Sequence, residues 1–373
     1  MADDTNNKPR FVGECQRVKL SEICSKGKSS LRQKDVFNDG PYNVYGASGV
    51  VGTTGDYQNE IPYVAVVKDG AGVGRASACE PMTSVLGTMQ ALIPNSNVER
   101  DYLLHLVRSL RLGEGFSGST IPHIYFKDYG RLEVPLPSLK VQKQIVSQLG
   151  LIEKQIAQAE AQIKQLDQLV KSRFVEITSG ALATIKHRKL EELVTIRLGL
   201  THTPLYTDSG KPFLSIKNIS GGSICFENCK FISEEEFKSL PIGARPSVGD
   251  LLFCRVGTMG KPVIIEEGTP EFGTFVSLGH FKIGPEVNAH FLKAWMESES
   301  FNAQVQKHVA GASQPNLNTG WLKQFMAPLP PLALQQEFAD FVSQVDKLQF
   351  KTQQQIEKLK MLKKSLMQEY FGQ

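Results

Sequence analysis

The sequence predicts a mixed α/β protein of α+β type: two mostly antiparallel globular domains separated by a pair of long antiparallel coiled-coil helices. Three observations lead there. The C-terminal half repeats the N-terminal half, each copy closes with a proline-rich hinge and a long heptad helix, and short strand patterns broken by turn residues fill the space between. The expected boundaries are a first globular domain at 1–137, a helical region at 138–182, a second globular domain at 183–331 and a last helical region at 332–373.

The duplication is read at one constant offset. Gly118 meets Gly311, Pro122 meets Pro315, and Pro135-Leu136-Pro137 meets Pro328-Leu329-Pro330. The register runs on without a gap through Gln142/Gln335, Ile163/Ile356, Leu166/Leu359 and Leu169/Leu362. The copies also open alike, with Val18–Ile23 facing Arg188–Leu193 at a smaller offset, so the second copy carries the longer centre. The period is far beyond the roughly 20–50 residues of solenoid repeats, so each copy is a domain of its own. Constant frames around divergent centres suit one scaffold that presents two different recognition surfaces.

Ser138 follows the first hinge and is a good candidate to cap a helix, because its hydroxyl can accept an orphan backbone N–H. Gly150 is expected to bend or break that helix. Beyond it Ile152, Ile156, Ala159, Ile163, Leu166, Val170 and Ile177 step mostly by four and three, which draws one apolar seam, and Ser179-Gly180 stops it. The second helix offers Val345, Leu348, Thr352, Ile356, Leu359, Leu362 and Leu366. Each seam has a partner tethered to it, so an intramolecular antiparallel pair is the simplest burial. A helix of about 30 residues spans about 45 Å, against about 34 Å for one turn of B-DNA, so such a rod has the length to hold two readers about a turn apart on one duplex.

In the globular copies Ile61–Val67, Leu251–Cys254 and Val263–Ile265 read as strands, and Asp101–Val107 and Ala289–Trp295 as helices. A strongly bent, mostly antiparallel sheet is expected in each. The Gly70-Ala71-Gly72-Val73-Gly74 run invites a dinucleotide or S-adenosylmethionine loop, but Pro81 follows too soon for the helix such a loop must open into. Glu236-Phe237-Lys238 lacks the paired Asp of a nuclease site, and no phosphate-binding P-loop or His-x-x-x-His occurs. Glycine does let backbone approach a phosphate, and Lys68, Arg75, Arg255 and Lys261 flank the glycine loops of both copies. In the loop that leads to the second hinge, Gln314 and Asn316 could pair with adenine edges. Plain turns with surface cations remain the alternative reading of both features.

Composition agrees with a soluble chain of two or three domains: 373 residues, 41% hydrophobic, with no apolar run approaching a membrane span. The polar start implies a cytoplasmic location. The six cysteines do not recur between copies, and no metal set is completed around Cys225 and Cys229, so all are read as reduced. A net charge of +4 permits DNA as a partner without demanding it.

The segment Tyr42–Gly52, followed by Lys68–Arg75, resembles a target-recognition domain of the specificity subunits of type I restriction-modification systems. Residues 328–337, their weaker partner at 135–144 and the Arg255–Lys261 loop resemble other recurring features of that family, in the family's order. The resemblance implies a non-catalytic DNA reader, each globular domain taking one half of an asymmetric split target. The helices would serve as spacer ruler and dock two methyltransferase subunits, which would carry S-adenosylmethionine; no cofactor or metal is expected on this chain. Separate motor-nuclease subunits would cut. Tyr45, Ser48 and Lys217 join the DNA-contact candidates on this reading. A structural coiled-coil adaptor and a single-chain DNA-modifying enzyme are the alternatives.

Overall fold

The computed structural model describes residues 15–70, 72–114, 122–179, 185–219, 222–256, 262–309 and 316–372. Two compact units divide the chain, Met1–Glu160 with Gln353–Gln373, and Ala161–Thr352. Each unit therefore joins one globular copy to part of both long helices.

In the first unit the strands are β1 (Gln16–Lys19), β2 (Cys24–Lys26), β3 (Tyr42–Gly46), β4 (Gly49–Thr54), β5 (Tyr63–Val67), β6 (Ala76–Cys79), β7 (Ser84–Val85), β8 (Met89–Pro94) and β9 (Glu133–Leu136). They form an antiparallel sheet in the order β2-β8-β5-β6, a sheet β4-β3-β7 whose β3/β7 pair is parallel, and the antiparallel ribbon β1-β9. Helix α1 (Arg100–Ser109) packs on the first of these. The expected single bent sheet is thus divided into three, and the reason lies in β5. Its five residues are all buried, so it needs cover on both faces. Val64 and Val66 enter one core with Tyr102, Leu106 and Val107 of α1, while Tyr63, Ala65 and Val67 enter another with Val85 and Met89. Strand alternation sends neighbours to opposite sides, and a second sheet closes the side that the helix leaves open.

The second unit repeats this logic. Its strands are β10 (Lys186–Lys189), β11 (Val194–Leu198), β12 (Tyr206–Thr207), β13 (Lys211–Leu214), β14 (Lys230–Ile232), β15 (Leu251–Cys254), β16 (Val263–Ile264), β17 (Gly273–Thr274), β18 (Leu278–Ile283) and β19 (Met326–Leu329). They order as β11-β18-β15-β16, β12-β14-β13-β17 and β10-β19, with β13/β17 the parallel pair. Leu251 and Phe253 of β15 face the core of Phe281, Phe291 and Trp295, and Leu252 and Cys254 face the core of Leu214 and Phe272. Phe291 and Trp295 belong to helix α2 of the globular set (Ala289–Met296), which Asn288 caps by accepting from His290 N at 2.9 Å.

Two long helices complete both units: the central helix, Leu139–Ser179, and the terminal helix, Leu332–Phe371. In each unit they run antiparallel. The first unit pairs Gln148 with Tyr370 by a hydrogen bond and Glu153 with Lys363 at 2.7 Å; the second pairs Asp167 with Gln349 at 2.7 Å and sets Phe174 edge-to-face with Phe338.

Three expectations are revised here. Gly150 does not break the central helix, which runs on through it, and on that exposed position a missing side chain costs about 1 kcal/mol. Leu348 and Leu362 lie outside the seam, 49% and 48% exposed. Strict four-three stepping from Val345 runs through Gln349, Thr352, Ile356, Leu359, Lys363 and Leu366, so polar Gln349 and Lys363 take the seam positions and bond to Asp167 and Glu153. On the central helix Ile152 is buried, and Ile156, Ile163, Leu166 and Val170 are half-buried. No helix among the described residues is long and apolar enough to cross a membrane.

Candidate nucleic-acid interface

Each copy brings two loops that lie far apart in sequence side by side. In the first, β5 leads into Lys68-Asp69-Gly70, and this segment bonds to Pro122-His123-Ile124: Ile124 N donates to Lys68 O at 3.0 Å, and Gly70 N donates to Pro122 O at 3.2 Å. In the second, β15 leads into Arg255-Val256, and Leu317 N donates to Arg255 O at 2.8 Å while Val256 bridges Asn316. The core strand of each copy thus runs into a short segment, Lys68-Asp69-Gly70 or Arg255-Val256, and the stretch leading to the hinge helix lies against it.

The first loop is tightly closed. Gly74 N donates to Val67 O and Val67 N to Arg75 O, both at 2.8 Å. Gly74 has φ +82°, and a Cβ there would stand 2.2 Å from Gly113 N, so only glycine fits. After the loop comes strand β6, not a helix, which removes the geometry that a dinucleotide site needs.

Lys68 is half-buried beside this loop, and Arg75 is exposed, with Nε donating to Gly72 O at 3.4 Å. Tyr45 is half-buried at a register shift between β3 and β4, and burial raises its phenol above the ordinary range. Ser48 is exposed at the two-residue tip that joins those strands. Lys217 lies exposed on a short 3-10 turn, Ile216–Ile219, after β13. Arg255 is braced: Nη1 donates to Val276 O at 3.1 Å and Nε to Leu317 O at 3.3 Å, and burial lowers its pKa. Its guanidinium therefore holds the Asn316 segment in place. Asn316 is exposed. Arg255 and Asn316 are brought together, as are Lys68 and Arg75, whereas Lys217 belongs to a different sheet's turn. Lys261 and Gln314 lie outside the described residues.

Sequence reading missed His123 and Asp69. His123 contacts the Asp69 carboxylate and stacks on Tyr125, with ring centroids 6.0 Å apart. The signal was available, since His123 is the repeat partner of Asn316.

Both frames are locked by the same buried residue. Gln142 and Gln335, matched in the repeat, are 0% exposed. Gln142 Oε1 accepts from Glu99 N at 2.8 Å, and its Nε2 donates to Pro137 O at 2.9 Å and Asn97 O at 3.0 Å. Gln335 repeats the set with Asn288 N at 2.8 Å, Pro330 O at 2.8 Å and Glu286 O at 3.2 Å. One amide thereby ties the hinge, the long helix and the start of the globular helix together.

His280 of β18 is fully buried, its Nε2 3.5 Å from Oδ2 of buried Asp250. Burial pushes the imidazole down to about 4; Asp250 opposes this, and Arg197 and Lys282 reinforce it. A depressed histidine pKa means that the unfolded chain binds the extra proton first. Stability should be complete above about 6.5 and fall as the pH drops towards 4, by up to roughly 3 kcal/mol. Urea melts between those pH values should show this slope, and His280→Leu should flatten it. An equal slope in the variant would refute the assignment.

Comparison with known proteins agrees with this architecture. Residues 13–168 and 184–361 match the family model described as type I restriction modification DNA specificity domain. The MjaVIII type I restriction enzyme specificity subunit of Methanocaldococcus jannaschii is 27% identical over 286 residues, 69% of this chain and 67% of that protein. The EcoKI specificity subunit of Escherichia coli is 23% identical over 186 residues, 44% of this chain and 39% of that protein. The crystal structure of a type I restriction-modification S subunit from M. genitalium superposes with a TM-score of 0.62 over 99% of this chain and 98% of that one, at 14% identity, which supports the fold. With two matched segments spanning most of its length, the chain belongs to the type I restriction-modification DNA specificity family.

Proposed function

We propose that each globular copy reads one half of a split, asymmetric DNA target through its paired loops, and that the antiparallel helices set the gap between the halves. The chain is the specificity component of a type I restriction-modification system, a recognition part rather than a catalytic one. Its partners are DNA and other subunits of that system. Two methyltransferase subunits docked on the helical regions would supply S-adenosylmethionine and the adenine chemistry, and motor-nuclease subunits would cut. Work on host DNA would place the chain in the cytoplasm.

One observation carries this reading. The two copies pair the same segments on the same backbone frame and fill them with unlike side chains, Lys68, Asp69 and His123 in one and Asn316, held by Arg255, in the other. A shared frame with different hydrogen-bonding groups reads different bases. Mapping methylated adenines in a host carrying this chain and its partner subunits should give a bipartite motif with unlike halves. A palindromic motif would count against the assignment, and absence of any sequence preference would favour a structural adaptor.

A further inference from the structure

The duplication supplies an internal control for surface charge. Glu99 N donates to Gln142 and Asn288 N donates to Gln335, both at 2.8 Å, which aligns α1 with α2 residue by residue. The buried positions follow that alignment: Tyr102 with Phe291, Leu106 with Trp295, Val107 with Met296. Arg108 then corresponds to Glu297 and Arg111 to Ser300, while the long-helix repeat matches Lys360 with Asp167 and Lys363 with Val170. Most of a surface that is basic in the first copy is thus acidic or neutral in the second, although Lys364 is matched by Lys171.

In the first unit these cations line an open groove of about 410 Å³ formed by Arg108, Arg111, Lys360, Lys363 and Lys364. Arg108 and Arg111 also border an adjoining recess of about 530 Å³ that reaches Arg75 and the closed glycine loop. Three carboxylates meet these six cations: Glu153 lies 2.7 Å from Lys363 and 4.0 Å from Arg108, Glu357 3.5 Å from Lys360, and Glu114 3.5 Å from Arg111. The groove therefore keeps a positive excess.

We propose that this groove holds the phosphate backbone of duplex DNA beside the half-site read by the first copy, and that the second copy makes no matching contact. The inference rests on the DNA-reading role above. Guanidinium forks suit phosphate oxygens. Lys360 and Lys364 stand one helical turn apart, about 6 Å, a spacing on the scale of neighbouring phosphates, which one strand presents at intervals of about 3.4 Å along the duplex axis. Continuity with the Gly72–Arg75 loop argues for DNA over an acidic protein surface.

The test is the full chain carrying Arg111→Ala, Lys360→Ala and Lys364→Ala, titrated by fluorescence anisotropy with target and scrambled duplexes between about 50 and about 300 mM salt. The logarithmic salt slope should become shallower by about two to three, and affinity at about 100 mM salt should fall tenfold or more on both duplexes. Lys171→Ala, at the position matching Lys364, should leave the slope unchanged. Lys364→Ala alone, a single exposed change, guards against a folding defect and should lower the slope by about one. A wild-type slope in the triple variant, with target discrimination intact in the wild type, overturns the groove and leaves the DNA-reading role standing. A shallower slope in a chain that never discriminates sequences supports the groove and removes that role. An unchanged slope with loss of co-purifying partner subunits overturns the proposal and assigns the patch to a protein.

Discussion

Gln335→Leu should destabilise the chain by about 2 kcal/mol or more, because it strips partners from one buried and two partly buried backbone groups, and a buried orphan costs about 1–3 kcal/mol. Leucine fills most of the same volume, so packing contributes little and the loss reports hydrogen bonding. Asn288 N would lose its acceptor, and Pro330 O and Glu286 O would lose their donor. Gln335→Glu should do no better, since a carboxylate could still accept from Asn288 but offers nothing to the two carbonyls and buries a charge. Gln336→Leu is the matched control. That side chain is exposed and bonds to Asp340 at 3.0 Å and Asn288 at 3.2 Å, so its loss should cost less than about 1 kcal/mol. Urea unfolding of the three variants decides the matter. A Gln335→Leu midpoint equal to that of the control would mean that the hinge is held by its prolines and apolar contacts alone.

Lengthening both long helices should change the spacing of the proposed target without changing its halves. Four residues inserted after Glu160 and four after Thr352, where the compact units divide, leave both globular copies untouched. Each insertion adds about 6 Å and little more than one turn, so the seam stays nearly in phase. At about 3.4 Å per base pair the gap should grow by one or two base pairs. Two-residue insertions rotate the seam by about 200° and should lower the melting temperature sharply and abolish specific modification. Sequencing methylated sites of the four-residue variant is the measurement. An unchanged gap sinks the ruler idea, and altered half-site bases would mean that the helices take part in reading sequence.

The duplication, the hinges and the helices were legible because they depend on local and periodic properties. Pro328-Leu329-Pro330, the four-three spacing after Ile152 and the β-rich runs at Val64 and Leu251 each state their structure within a few residues. The repeat even marked Gln142 and Gln335 as equivalent. It could not say that both are buried, because a glutamine reads as solvated until its three partners converge on it from separate segments.

The errors have the same origin. Leu348 and Leu362 look like seam residues by hydrophobicity, yet the heptad phase fixed by the partner helix turns them outward and brings in Gln349 and Lys363, whose cost is offset by Asp167 and Glu153. The candidate interface shows the limit most plainly. Lys68, Arg75, Arg255 and Asn316 could each be named from glycine loops and repeat position, but the pairing of Lys68 with Ile124 and of Arg255 with Leu317, each across more than fifty residues of chain, is a tertiary fact. So is the bracing of Arg255 by Val276 and Leu317, which turns a surface cation into a support. Sequence alone determined the repeated architecture, since periodic burial and backbone-restricting residues act over short range. Which polar groups lie buried and which loops meet was decided only when distant segments packed, because hydrogen-bond partners and desolvation do not exist before that contact is made.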